Sequence, residues 1–120
     1  MLQPDGERSI IMASGATSLI TSAVMQRCFL GGIGGAQMIT TEISQVPLSG
    51  VRALLDAARA SRTLSVLDVD VAPNVAVNEA RLGSVDELRA CIAAATVLKP
   101  AKHAAQDLVA MLDPQLSVAV

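Results

Sequence analysis

Leu64-Ser65-Val66-Leu67-Asp68-Val69-Asp70-Val71 is the stretch on which the fold turns. Aliphatic and β-branched residues fill it, its carboxylates come only toward the end, and Ala72-Pro73-Asn74 closes it with turn chemistry. So apolar a strand belongs in a sheet covered on both faces, the usual condition of parallel sheets. Just upstream, Val51, Leu54, Leu55 and Ala58 recur at helical spacing, with Arg52, Asp56, Arg59 and Arg62 around the rest. Pro47 stands where a first helical turn tolerates its missing N–H. Before it, the segment from Ala36 to Ile43, rich in β-branched residues, reads as another strand. Downstream, Ser84-Val85-Asp86-Glu87 carries the spacing of a capping box, and Leu88, Cys91, Ile92 and Ala95 form an inward stripe. A short strand at Thr96-Val97-Leu98 precedes Lys99-Pro100. A last helix shows Ala105, Leu108, Val109 and Leu112, and stops at Asp113-Pro114.

Toward the N-terminus, Ser9-Ile10-Ile11-Met12-Ala13 reads as a further strand and Thr17 to Phe29 as a helix, ended by the Gly31-Gly32-Ile33-Gly34-Gly35 cluster. Strand and helix therefore alternate four times. Such alternation specifies an α/β fold: three layers, a mostly parallel β-sheet with flanking helices. Right-handed crossovers put the carboxyl ends of all strands on one edge, where open sheets collect ligands. Glu42, Asp68, Asp70 and Lys99 end these strands. The glycine cluster is no phosphate loop, because it precedes a strand instead of following one and has no Gly-Lys-Ser/Thr ending.

Composition bounds the function. The 120 residues suffice for one domain or part of one, with 52% apolar and 17% charged residues and a single aromatic, Phe29. So little aromatic bulk and charge fits a segment whose faces meet more protein. A formal net charge of −2, with Lys and Arg scattered, gives no reason to expect nucleic acid or an anionic membrane as partner. Cys28 and Cys91 stand in no metal-binding spacing and read as buried, reduced thiols. Ser9 to Gln26 holds no charge, yet it is too rich in Ser, Thr and Gly for a membrane span, and the acidic N-terminus does not read as a secretory signal. The expectation is a soluble, cytoplasmic protein.

Four short segments then resemble, in order and spacing, the PfkB (ribokinase-like) family of carbohydrate kinases. Gly6-Glu7-Arg8-Ser9-Ile10-Ile11-Met12-Ala13-Ser14-Gly15-Ala16 is similar to its GERSIIVVPGAN-like strand and turn. Thr41-Glu42-Ile43-Ser44-Gln45-Val46-Pro47 looks like the segment whose Glu meets the acceptor. Leu67-Asp68-Val69-Asp70-Val71-Ala72-Pro73 resembles an Asp-x-Asn-x-Arg strand end, and Ala95-Thr96-Val97-Leu98-Lys99-Pro100 the strand before an Asn-x-x-Glu motif. The resemblance runs from about Gly6 to Leu112. It implies a partial PfkB-like domain over residues 1–120, incomplete in its ribokinase-like architecture, and phosphoryl transfer from ATP with Mg²⁺ to a sugar hydroxyl. The sequence departs from the family at the chemistry: Gly-Ala-Gly-Asp is absent, so no catalytic base is assigned, and the early Gly-Gly-Asn acceptor segment is absent too. Ala101 and Ala104 stand where Asn-x-x-Glu would be.

Glu42 and Asp68 are the candidate substrate-binding residues, and Lys99 and Lys102 the candidate phosphate-side residues; no metal ligands are assigned. Each has a plainer reading. Glu42 suits the start of the next helix, where the dipole welcomes a carboxylate. Asp68 and Asp70 alternate toward one face as a carboxylate pair or a solvated strand end. The lysines serve as point charges for phosphate or as solvated helix-start residues. His103, the only histidine, reads as surface structure. Two functions therefore compete: an internal segment of a sugar kinase, inactive alone, and a non-catalytic α/β interaction module that associates with itself or another protein through apolar surface.

Overall fold

The computed structural model describes residues 13–112. Three strands, β1 (Met38–Ile43), β2 (Leu64–Val69) and β3 (Val97–Pro100), form one parallel sheet in the order β1-β2-β3. Helix α1 (Ser22–Cys28) precedes the sheet, α2 (Leu48–Ala60) joins β1 to β2, α3 (Val85–Ala94) joins β2 to β3, and α4 (Lys102–Leu112) follows β3. The α/β reading and the parallel sheet hold. The strand expected at Ser9–Ala13 falls outside the described residues, apart from Ala13, which is not in a strand. Three strands, not four, are therefore described.

One feature of the layering differs from expectation. Both crossovers step the same way across the sheet, and right-handed connections that step the same way put their helices on the same face. Ile43, Leu67 and Val69 point into that covered face and share one core with Leu48, Val51 and Leu55 of α2, Leu88, Cys91 and Ala94 of α3, and Ala104 and Leu108 of α4. The opposite face carries Met38, Thr40, Glu42, Leu64, Val66, Asp68, Val97 and Lys99, which alternate with the buried set. Met38, Leu64 and Val97 there are 54%, 56% and 49% exposed. Among the described residues the molecule has two layers, and the third expected layer is not among them.

The helix boundaries follow local chemistry. At α3 the capping box is complete: Ser84 Oγ accepts from Glu87 N at 3.1 Å, and Ser84 N donates to the Glu87 carboxylate at 2.8 Å. Pro47 is the N-cap of α2, one residue before the helix proper, and offers no side-chain cap. At the other end of α2, Arg62 N donates to Arg59 O and Thr63 N to Ala58 O, a Schellman closure that holds Arg62 at φ 55°. The link from β2 to α3 is a π-helical turn at Val75–Glu79, with Ala80 N bonded five residues back to Val75 O. Ser65 and Thr96 clasp the starts of β2 and β3, each side-chain oxygen accepting from the other's N–H, at 3.2 and 3.0 Å. The buried Ser65 hydroxyl is thereby satisfied.

Residues 16–35 depart furthest from the sequence reading. The expected helix from Thr17 to Phe29 is split into a 3-10 turn at Ala16–Leu19 and the short α1, and the glycine cluster is itself 3-10 helical at Leu30–Gly35. Helix α1 packs on α2, burying Met25, while Ile33 is buried and its carbonyl accepts from Thr63 Oγ1 at 3.3 Å. The close approach is at Gly50, where an added Cβ would lie 2.0 Å from the Ile20 carbonyl oxygen. Cys28 is exposed, which corrects its expected burial; Cys91 is buried, and both thiols are free.

Candidate functional site

Parallel pairing brings the strand ends into one row. Glu42 pairs with Asp68 across β1 and β2, and Asp68 with Lys99 across β2 and β3. Register partners share a face, so the three side chains line the carboxyl rim of the uncovered side. Three of the four candidates are thus brought together, two by a measured contact: Lys99 Nζ donates to Asp68 Oδ2 at 2.6 Å. This carboxylate raises the Lys99 pKa, chiefly through the hydrogen bond and then by charge, with a smaller contribution from Asp70. The lysine side chain is 68% exposed, so solvent screens the pair and it adds little to stability. Asp68 Oδ1 is buried and has no hydrogen-bond donor among the described residues. It is an unsatisfied acceptor on the inner side of the carboxylate, whose other oxygen carries the lysine.

Glu42 does not cap α2. Its carboxylate accepts from Ser44 Oγ at 2.8 Å, and Ser44 is itself buried. In the sequence this contact shows only as a spacing, since residues two apart at a strand end share a face. Asp70 lies beyond the end of β2, so the expected alternating pair with Asp68 is not continued in the strand. Its carbonyl instead meets His103 Nε2 at 3.1 Å, which ties the start of α4 to the exit of β2. Lys102 is the first residue of α4 and is exposed. A cation there opposes the helix dipole.

The row offers two carboxylates and one cation on an open surface. The phosphate side is poorer. Lys99 is committed to Asp68, and Ala101 and Ala104 contribute no oxygen where the resemblance requires Asn and Glu. Among the described residues no three His, Cys, Asp or Glu side chains converge as a cation site. The described residues at this rim therefore make no site for ATP with Mg²⁺, and no phosphoryl-transfer step is derived from them. Among the described residues, no helix is long and apolar enough to cross a membrane. No family model, curated protein or solved structure matches the chain.

Proposed function

We propose that this chain is an internal core segment of a PfkB-type carbohydrate kinase, able to contribute sugar contacts but not to transfer phosphate by itself. The observation that supports it is the in-register row of Glu42, Asp68 and Lys99 at the carboxyl rim of a parallel sheet. In this reading Glu42, steadied by Ser44, and Asp68, through the Oδ2 that also carries Lys99, accept hydrogen bonds from sugar hydroxyls. Lys99 orients Asp68 through its hydrogen bond to Oδ2. Transfer from ATP belongs to residues that this sequence does not contain. A coupled assay with ribose, fructose and 2-keto-3-deoxygluconate should give no ATP-dependent turnover. A titration with the same sugars, followed by amide chemical shifts, should move Glu42, Asp68 and Lys99, and Glu42→Gln should weaken it. Shifts absent from this row, or turnover by the chain alone, would sink the reading.

A second reading has its own support. The exposed apolar surface of Met38, Leu64 and Val97 is what an interaction module would present, because parallel sheets are otherwise covered on both sides. Binding of a hydrophobic dye, reduced by a polar substitution at Leu64, is the matching test.

A further inference from the structure

We infer that the sheet face on which no described element packs is covered by a second copy of this chain, related by a two-fold axis that runs along the strands beneath β2. The inference deepens the interaction-module reading and does not depend on the kinase reading. It rests on the arrangement of charge and apolar surface on that face.

The face has three rows. Met38 and Leu64 form the first, Thr40, Val66 and Val97 the second, and Glu42, Asp68 and Lys99 the third. Rotation about an axis parallel to β2 keeps each residue in its row but lays β1 of one copy over β3 of the other. Leu64 then meets Leu64, Val66 meets Val66, and Thr40 meets Val97. In the third row Glu42 of each copy comes opposite Lys99 of its partner, twice by symmetry, as an isologous interface requires. Asp68 would face its own copy, but each Asp68 is already neutralised by the lysine beside it at 2.6 Å. Lys99 has three donors and can hold Asp68 and a partner's Glu42 together. Packed sheets lie about 10 Å apart, a gap that Glu and Lys side chains can span from opposite sides. A two-fold axis across the strands, or one normal to the sheet, gives no such charge match.

The size of the face sets the strength. Three strands at roughly 4.8 Å spacing and six residues at roughly 3.3 Å rise cover roughly 300 Å² of sheet. A stable interface buries about 800 Å² per partner, so this dimer is weak and dissociates on dilution. The charged row accordingly fixes orientation more than it adds affinity.

Sedimentation equilibrium over a wide concentration range, at low salt, tests the inference. The expected result is a monomer at low micromolar and a dimer populated toward millimolar concentration. Glu42→Lys alone and Lys99→Glu alone should each weaken dimerisation at least tenfold, and the double variant should restore it, because the swapped charges meet again across the axis. Val66→Asp, at an exposed-face position on the axis, should abolish it while far-UV circular dichroism stays unchanged. Failure of the double variant to recover, or a dimer indifferent to all of these changes, overturns the inference. A chain that stays monomeric but binds a hydrophobic dye overturns the second copy and leaves the module reading standing. A monomer that binds no dye removes both.

Discussion

Gly50→Ala should detach residues 16–35 from the body of the protein without unfolding it. Gly50 lies in the first turn of α2, and the added Cβ would sit 2.0 Å from Ile20 O and 3.1 Å from Ile20 C. Real Cβ atoms keep beyond 3.0 Å, so the Ile20 carbonyl must retreat by about 1 Å or more. The obstacle is backbone, which no rotamer change relieves. Helix propensity favours Ala by at most ~1 kcal/mol, and less in a first turn. Against it stands the burial of Met25 and Ile33, 6% and 4% exposed, which contributes about 1.5–3 kcal/mol each. The backbone clash forces the undocking, and loss of half that total outweighs the propensity gain, so the net effect is destabilising. Arg27, exposed on α1, then reports the change. A loss of about 3 kcal/mol should accelerate tryptic cleavage at Arg27 roughly a hundredfold. Cleavage at Arg59, within α2, should change little. Unaltered cleavage at Arg27, with a melt raised by the propensity gain alone, would refute the reasoning.

Three further outcomes follow from local chemistry. Burial pushes the Cys91 thiol from 9.0 up to about 11, with Arg52 opposing and Glu87 and Asp56 assisting. The neutral thiol is thus favoured in the folded state, and its stabilisation is intact below pH 9.0, then lost as pH rises toward about 11. The loss is at most about 3 kcal/mol, and urea midpoints should decline across that window in the parent but stay flatter in Cys91→Ala. Lys99, whose pKa is raised above 10.5, begins to lose its contribution only above that value, so the start of the decline, from pH 9.0, belongs to the thiol. Arg62→Gly removes a left-handed non-glycine residue at φ 55° and should raise stability by about 0.5–1 kcal/mol, read as a melting temperature higher by several degrees. Ser84→Ala breaks the capping box and should cost about 1 kcal/mol in urea denaturation, with Ser84→Asp recovering most of it.

Elements whose apolar period is strong were legible in the sequence. The β2 segment, the capping box and the stripe of α3 stand close to where their residues placed them, because hydrophobic period and hydrogen-bonding chemistry both act locally. The row of Glu42, Asp68 and Lys99 was legible in outline, since parallel crossovers force strand ends to one edge. What no local pattern carried was the direction of each crossover. The strand Leu64–Val69 looks apolar on both sides, as a doubly covered strand should, yet Leu64 is exposed while Leu67 is buried. Residues 16–35 were misread for a related reason. Small residues and glycines offer a weak helical period, and the breaks follow from contacts with α2 at Gly50 and with Thr63, both distant in sequence. Ser44 escaped notice because a hydroxyl two residues past a carboxylate means something only once the strand end is known.

The uniform stepping of β1, β2 and β3 bears on how the chain is made. Each strand pairs with the next one synthesised, so every addition closes a loop of roughly thirty residues, the span of one βαβ unit. A nascent chain leaving the ribosome N-terminus first can therefore complete each unit before the next emerges, with no earlier strand waiting for a distant partner.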